Sequence, residues 1–322
     1  MKLITIYKLV REDLGKVEER LKSVSEVEFP YLAELLEYSL RSNGKRIRPA
    51  LTLLSGKFYD YNLDYLIPMA AAVEVMHTAT LVHDDAIDNS LVRRGRPTVN
   101  KLWGDEKAVL LGDYLFAEAG ALTAYTRNLR AIKLFADTLK TISSGELNQA
   151  FNAFNLEQSH PQYFQRVAKK TAALFSMAAE SGAALSNAPE ESIQILIEYA
   201  YNLGIAFQIV DDILDFIGTE KELGKPVGSD LAQGTLTLPA ILLLERCPGD
   251  NPVRRLFKSR DEQDNNMQQA IELIRNSPIV EECYQIASDY CARACRNLEL
   301  LPDIASRQSF IDLADYVVSR KR

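Results

Sequence analysis

Apolar residues recur every three or four positions along almost the whole chain, which is the spacing of one face of an α-helix. The pattern is clearest in residues 31–40, 132–142 and 193–207, and the alternation typical of a half-buried strand is hard to find anywhere. Proline and glycine fall between these segments, where they can end one helix or begin the next. The sequence therefore predicts an all-α fold of about a dozen helices joined by short loops.

No low-complexity linker or block of like charge divides the chain, so we predict a single domain over residues 1–322. With 47% hydrophobic residues, a domain of this length can bury a large core. The formal net charge of −7 argues against a general nucleic-acid-binding protein, because affinity for a phosphate backbone needs clustered lysine and arginine.

The sequence also carries signals about compartment. The first residues lack the apolar stretch and small-residue cleavage site of a secretory signal, and the four cysteines form no CxxC pair. Uninterrupted apolar stretches are well short of the ~20 residues that a spanning helix needs. We therefore expect a cytoplasmic protein with reduced thiols and at most peripheral contact with a membrane.

A line of polar residues runs along the otherwise apolar segment 70–88. His77, Asp84 and Asp88 are spaced i, i+7 and i+11, which is one stripe of a helix, and Asp85 lies one step around from it. Asp84 and Asp88 stand one turn apart, roughly 6 Å along the axis. Both carboxylates can therefore project the same way and hold hard cations jointly.

A second apolar segment repeats this arrangement, with Gly204, Gln208, Asp211 and Asp215 on one stripe and Asp212 beside the first aspartate. Like charges at i, i+4 destabilise a helix, and ionised aspartate is costly to bury. A solvated helix end would be the ordinary explanation of one such cluster. Two matching clusters instead favour magnesium ions shared between them and bound together with substrate phosphate.

Two short basic segments could bind phosphate. Residues 44–49, with the sequence GKRIRP, place three cations in a turn between helices, and the tripeptide RRG at 93–95 follows the first aspartate cluster. Taken singly, each segment is typical of an exposed surface. Together with the carboxylates, they suggest a cavity that binds magnesium-diphosphate at one pole and a second anionic group at another.

Several segments, in this order, resemble the trans-isoprenyl diphosphate synthases of the polyprenyl synthetase family. They are GKRIRP at 44–49, LVHDDAIDNSLVRRGRPTVN at 81–100, GDYLF at 112–116, KKTAALF at 169–175 and GIAFQIVDDILDFIGTEKELGKPVGSDLAQGTLTLP at 204–239. The family is all-α, with helices around a deep central cavity, and works as a dimer. The resemblance implies a prenyltransferase that joins isopentenyl diphosphate to an allylic diphosphate with up to three magnesium ions, acting as a homodimer.

The resemblance also implies roles for individual residues at the diphosphates. Magnesium bridging to the allylic diphosphate would be bound by Asp84, Asp88, Asp211 and Asp215, with Asp85 and Asp212 beside them. That diphosphate would also contact Arg93 and, from a mobile lid at 218–228, Lys225. Isopentenyl diphosphate would be bound by Lys45, Arg48, His77 and Arg94. The reacting carbons would lie against Lys170, Thr171 and Gln208.

Product length follows from residues one and two turns before the first cluster. Met76, Ala79 and Thr80 would line the path of the growing tail. In the family, aromatic residues at positions 79 and 80 give short products, and both residues are small here. We therefore predict a long all-trans product, hepta- to decaprenyl. A geranylgeranyl or farnesyl length is the alternative if Met76 or a later helix forms the floor.

Three other functions are compatible with parts of this pattern. A terpene cyclase or a head-to-head condensing synthase also ionises an allylic diphosphate, but neither needs the second anion site that the basic segments suggest. A non-catalytic subunit of a related synthase would not need both aspartate clusters intact.

Three further positions carry structural expectations. Thr235 departs from many relatives, which have lysine there. Gly112 and Asp113 are expected to cap the helix that follows them. Residues 320–322 are expected to be a solvated tail, although the family often covers its site with a basic tail.

Overall fold

The computed structural model describes residues 2–41, 44–219, 226–259 and 262–320. Within these ranges the only strands are the two-residue β1 (Val92–Arg93) and β2 (Arg96–Pro97), paired as an antiparallel hairpin. The predicted all-α class is confirmed. Helical segments are more numerous than about a dozen because several have only four to seven residues.

The helices follow one another with short connections. The N-terminal part contains α1 Leu3–Ile6, α2 Arg11–Ser23, α3 Pro30–Leu40, α4 Ile47–Gly56, α5 Leu63–Ile87, α6 Val99–Trp103 and α7 Asp105–Tyr125. The middle contains α8 Leu129–Phe151, α9 His160–Val167, a π-helical turn at Ala168–Ala172, α10 Ala173–Leu185 and α11 Glu190–Ile217. The C-terminal part contains α12 Ser229–Ala232, α13 Leu238–Arg246, α14 Pro252–Lys258, α15 Gln263–Arg275, α16 Ile279–Cys295 and α17 Ala305–Ser319. Short 3₁₀ turns occur at Tyr7–Val10 and Leu298–Leu300.

Side-chain caps begin the two long helices that frame the centre of the molecule. The Asn62 side chain accepts a hydrogen bond from the backbone N–H of Asp64 at the start of α5, at 3.0 Å. The Asn128 side chain does the same for the N–H of Ala131 at the start of α8, at 3.1 Å. Each cap satisfies a backbone donor that the helix itself cannot, and is worth about 1 kcal/mol.

One continuous hydrophobic core runs from Ile6 near the N-terminus to Val317 on α17. Its central helices, α5 and α11, are long and apolar enough to cross a membrane by length and composition. This differs from the sequence-based expectation, which considered only uninterrupted apolar runs. The most apolar windows of α5 and α11 are 72% and 56% buried within the protein, as expected of core helices.

Glycines bring neighbouring helices into backbone contact on one side of the core. A Cβ at Gly182 of α10 would overlap the carbonyl oxygen of Thr52 in α4. A Cβ at Gly204 of α11 would lie 2.7 Å from the Cα of Ala172. Gly204, which the sequence placed on a polar stripe, is therefore a packing residue.

Candidate active site

A cavity of about 580 Å³ lies between the ends of α4, α5, α8, α10 and α11 and collects most of the predicted site residues. Those that line it are Lys45, Arg48, His77, Thr80, Asp84, Asp88, Arg93, Arg94, Lys170, Thr171, Gln208, Asp211 and Asp212. Those that do not are Met76, Ala79, Asp85 and Asp215. Lys225 lies outside the described residues.

The first aspartate cluster ends α5 and divides between two environments. Asp84 and Asp88 face the cavity, and burial, reinforced by the charge of Asp84, raises the pKa of Asp88 although Lys170 opposes the shift. Asp85 is buried away from the cavity and accepts a 2.7 Å hydrogen bond from Nε of Arg93. Contrary to its predicted place beside the metal ions, Asp85 therefore serves to hold Arg93.

The second cluster divides in the same way. Asp211 and Asp212 line the cavity, but Asp215 is only 1% exposed and lies outside the lining. The carboxylate of Asp215 accepts hydrogen bonds from Ser229 Oγ at 3.0 Å and from the backbone N–H of Asp230 at 3.3 Å. It thus anchors the start of α12, and metal binding by Asp215 stays a prediction.

A chain of hydrogen bonds along the cavity wall connects α9, the π-helical turn and α11. Thr171 Oγ1 donates to Gln208 Oε1 at 2.6 Å, and Gln208 Nε2 donates to Asp212 at 2.8 Å. The hydroxyl of Tyr163 donates to the other oxygen of Asp212 at 2.6 Å. Burial raises the pKa of Asp212 to about 7. This carboxylate is held by its neighbours rather than free to move.

Lys170 lies in the π-helical turn between α9 and α10, a kind of irregularity that often occurs at functional sites. Its Nζ is 2.8 Å from Glu146 on α8 and 3.6 Å from Asp84. Burial alone would lower the pKa of Lys170, but the two carboxylates together raise it. Lys170 is therefore a cation held beside the first cluster.

A further part of the cavity lining is rich in cations, with Lys45, Arg48 and Arg94. The guanidinium of Arg48 lies 4.6 Å from the ring centre of Phe175, and its Nη1 is 3.2 Å from Nε2 of His77. Burial lowers the pKa of Arg48 to about 10, which leaves it charged at neutral pH. Its Nε is buried and finds no hydrogen-bond partner in the part of the chain that the structure describes. This donor suits an anionic ligand.

The hairpin separates the two neighbouring arginines of the RRG tripeptide. Arg94 and Gly95 are its two turn residues and both have positive φ, as a type I′ turn requires. Arg93 reaches Asp85 at the end of α5. A Cβ on Gly44 of the basic turn would lie 3.2 Å from Nη1 of Arg94, so the Arg94 side chain extends to the basic turn and not to Asp85.

His77 is expected to remain neutral well below pH 6.5, because burial and then the charge of Arg48 lower its pKa. A guanidinium only donates, so Nε2 accepts from Arg48 and the ring proton lies on Nδ1. Below pH 6.5 the unfolded chain binds a proton that the folded chain does not. Stability should therefore fall with decreasing pH in that range, by up to about 1.4 kcal/mol per pH unit.

Nitrogen NMR of the imidazole and chemical denaturation at several pH values would test this expectation for His77. In His77→Gln the part of the slope that His77 contributes should disappear, while the rest of the pH dependence remains. An imidazole that titrates near pH 6.5 in the folded protein would contradict the assignment.

Sequence reasoning missed several charged groups at the cavity, and three of them are Glu146, Arg166 and Arg320. Arg166 is buried and donates to the carbonyl oxygen of Leu236 at 2.5 Å, which fixes the wall that contains Thr235. No local pattern marks any of the three, because each acquires its place from a distant segment.

Two structural expectations are wrong. Arg320, expected in a solvated tail, is 5% exposed, lies 3.9 Å from the ring centre of Phe207 and donates to Asp211. Gly112 and Asp113 lie in the middle of α7 and do not cap it. A Cβ at Gly112 would overlap the ring of His83, so this glycine lets α5 and α7 approach.

The number of carboxylates that lie close together decides what kind of metal ion the cavity can hold. Among the described residues, no three carboxylate, imidazole or thiolate groups are placed to hold one ion by themselves. This fits magnesium, which is typically bound through one or two carboxylates with water and substrate phosphate in the remaining positions. Asp84 and Asp88 on one wall and Asp211 on another are donors of the right kind for an ion shared with a diphosphate.

The sequence profile of the Polyprenyl synthetase family matches residues 29–274, and the chain belongs to this family of prenyltransferases. Component 2 of the heptaprenyl diphosphate synthase of Geobacillus stearothermophilus is 37% identical over 322 residues, covering 99% of each chain. The decaprenyl diphosphate synthase of Rhodobacter capsulatus superposes with a TM-score of 0.92 at 37% identity, over 100% of both chains.

A third similar structure is that of a polyprenyl synthase from Caulobacter crescentus complexed with calcium and isoprenyl diphosphate. It has a TM-score of 0.95 and 32% identity, covering 100% of this chain and 98% of the other. The predicted family, fold and prenyltransferase activity are confirmed.

Proposed function

We propose that this protein extends an allylic diphosphate by repeated head-to-tail condensation with isopentenyl diphosphate and releases a long all-trans polyprenyl diphosphate. The observation that carries the proposal is a single cavity whose lining combines the carboxylates of Asp84, Asp88 and Asp211 with the cations of Lys45, Arg48 and Arg94. The heptaprenyl and decaprenyl relatives support a long product.

At the carboxylate pole, Asp84, Asp88 and Asp211 would hold magnesium together with the allylic diphosphate. Bound there, magnesium supplies charge neutralisation for the leaving diphosphate. Arg93 and Lys170 contribute fixed positive charge to the same pole. Preorganised charges of this kind are usually the largest contribution to catalysis. The relative complexed with calcium and isoprenyl diphosphate supports a divalent cation at such a site, and we propose up to three ions.

At the cationic pole, Lys45, Arg48 and Arg94 would bind the diphosphate of isopentenyl diphosphate, with Nδ1–H of His77 as a further donor. Held there, the alkene can meet the allylic cation that forms at the other pole, and this positioning contributes several kcal/mol. Formation of the new carbon–carbon bond leaves a carbocation on the former alkene. This cation would lose a proton to the departing diphosphate, which forms the new double bond.

The reacting carbons would lie in the apolar part of the cavity, against Ile142, Leu174 and Phe207. These side chains keep water from the allylic cation. Thr171 and Gln208, fixed to each other by their hydrogen bond, present their polar atoms at the edge of this region. The proposed lid at 218–228, which would carry Lys225, lies partly outside the described residues.

We propose that the protein is a homodimer that joins through α7 and α8. Large apolar side chains on these helices are exposed: Leu110 is 61%, Leu129 83% and Phe151 87% accessible. Large apolar side chains exposed along two helices favour an interface with another subunit on this side. The relative named component 2 of a heptaprenyl diphosphate synthase makes a second, different subunit the alternative occupant. Light scattering of the purified chain alone distinguishes a dimer from a monomer that awaits another protein.

We also propose one domain over residues 1–322 and a cytoplasmic location. The continuous core from Ile6 to Val317 supports the first proposal. The four cysteines, all free thiols, are consistent with the second.

The experiment that tests the function supplies the purified chain with isopentenyl diphosphate, farnesyl diphosphate and magnesium, followed by chromatography of the dephosphorylated products. A ladder ending in hepta- to decaprenyl alcohol is expected. Products ending at geranylgeraniol would establish the shorter alternative. A cyclic hydrocarbon made without isopentenyl diphosphate would replace the proposal by a terpene cyclase.

Arg93 and Arg94 are adjacent but should serve different diphosphates, because Arg93 is held by Asp85 at the end of α5 whereas Arg94 lies beside Gly44 of the basic turn. Arg94→Ala should raise the KM for isopentenyl diphosphate about tenfold or more, with a small change for the allylic substrate. Arg93→Ala should do the reverse. Initial rates with each substrate varied in turn measure both effects, and equal effects on both substrates would mean that the two arginines act as one site.

A further inference from the structure

Arg46 lies between two cations of the proposed isopentenyl diphosphate site, yet its guanidinium is occupied by protein groups. Its Nε and Nη2 donate to the two oxygens of Glu18 on α2, at 2.5 and 3.0 Å. Its Nη1 donates to Glu74 on α5 at 2.5 Å, and Nη2 also reaches the carbonyl oxygen of Leu40 at 3.2 Å. One side chain therefore connects α2, the end of α3 and α5.

The backbone of Arg46 is held in an unusual conformation. Its φ of 51° and ψ of 32° lie in the left-handed region, which is unfavourable for a residue with a side chain. The carbonyl oxygen of Arg46 accepts the N–H of Ala50 at 3.0 Å, so this residue is the N-cap of α4. The left-handed turn thus determines the position of Lys45, which precedes it, and of Arg48, which lies in the first turn of α4.

The surroundings of Glu74 extend this arrangement to the hairpin. Glu74 is buried and lines the cavity. A Cβ on Gly44 would lie 3.4 Å from Oε1 of Glu74 and 3.2 Å from Nη1 of Arg94. The charge of Glu74 therefore lies close to several of the cations that would bind the second diphosphate, and Arg46 fixes its position.

We propose that Arg46 is a positioning residue: its bonds to Glu18 and Glu74 hold the left-handed turn that places Lys45 and Arg48 for isopentenyl diphosphate. This inference rests on the proposed function, and it assigns a role to a residue that need not touch substrate. Bidentate arginine–carboxylate pairs suit such a task because they fix direction as well as distance.

Glu18 provides a test from outside the cavity. Its side chain is 50% exposed, it does not line the cavity, and its hydrogen bonds in the described structure go to Arg46. Any effect of Glu18→Gln on substrate affinity must therefore travel through Arg46. Glu19→Gln is the matched control, since it makes the same charge change at the next residue, which is exposed.

The experiment measures KM and kcat for both substrates in Glu18→Gln, Arg46→Leu and the control, together with calorimetric binding of isopentenyl diphosphate. The expected KM for isopentenyl diphosphate rises about threefold to tenfold in Glu18→Gln and more in Arg46→Leu. The KM for farnesyl diphosphate should stay within twofold, and Arg46→Lys should recover part of the loss. Glu19→Gln should match the parent protein.

An unchanged or lower KM for isopentenyl diphosphate in Glu18→Gln would overturn the proposal. If Arg46 bound the substrate itself, the loss of Glu18 would free its guanidinium for the diphosphate, and the KM would not rise. The Glu18 variant decides the matter even if Arg46→Leu does not fold. A parent protein that binds isopentenyl diphosphate without elongating anything would refute the proposed function, while the calorimetric comparison would still decide the role of Arg46.

Discussion

Replacing Asp84 by alanine is expected to lower turnover by several orders of magnitude while the helical fold remains intact. Asp84 faces the cavity one turn from Asp88 and 3.6 Å from the ammonium of Lys170. Its removal would take away a proposed magnesium ligand and leave Lys170 with one carboxylate partner, Glu146. Loss of charge stabilisation at a leaving group is worth several kcal/mol, and each 1.4 kcal/mol is about tenfold in rate.

Steady-state rates over a range of magnesium concentrations, with circular dichroism of the same samples, measure this effect. Asp137→Ala on the exposed face of α8 is a suitable control, since the Asp137 side chain is 52% exposed and forms its ion pair with Lys140 at the surface, at 3.5 Å. Asp215→Asn should behave differently from Asp84→Ala, because Asp215 anchors α12. We expect it to lower the stability of the fold, with a smaller change in how turnover depends on the magnesium concentration. Normal activity of Asp84→Ala at saturating magnesium would rule out the proposed metal site.

Replacing Thr80 by phenylalanine is expected to shorten the product to fifteen or twenty carbons without abolishing condensation. Thr80 lines the cavity one turn below Asp84, and its hydroxyl bonds to the carbonyl oxygen of His77 rather than to another helix. A ring at this position would extend towards the apolar region formed by Ile142 and Leu174. It would then block the path of the tail after a few additions.

Ala79→Phe is the informative comparison. Ala79 is fully buried, lies outside the cavity lining and occupies the stripe of α5 that contains His83, which packs on α7. A ring there should mainly overpack the α5–α7 contact, at a cost of about 1–3 kcal/mol. Chromatography of products and thermal unfolding of both variants separate the two outcomes. A long product from a well-folded Thr80→Phe would mean that the tail follows another face of α5.

Much of the architecture could be predicted because helical periodicity is a local property of the sequence. The stripe of His77, Asp84 and Asp88 was predicted from spacing alone, and these residues do share one cavity wall. Asp215 was predicted on the same stripe as Asp211 but does not line the cavity. Its distance from Asp211 is one helical turn, but the direction of its carboxylate is decided by Ser229 and the segment that follows the lid.

The remaining groups depend on long-range geometry. Arg320 reaches Asp211 across 109 positions of sequence, and Arg46 meets Glu18 across 28. Lys170 faces Asp84 from a π-helical turn that has no recognisable signature in its residues. In each case burial and charge pairing select a partner that local patterns do not indicate.

The glycine contacts at Gly182 and Gly204 also restrict how such a catalyst can change over evolution. At Gly182, α10 is in backbone contact with α4, and at Gly204, α11 is in contact with the π-helical turn. A larger residue at either position would force the helices on that side of the molecule apart. A substitution there displaces whole helices and threatens folding before it alters the product. Heritable variation in product size should therefore accumulate at positions such as Thr80 and Ile142, where one side chain can be exchanged while the helices stay in place.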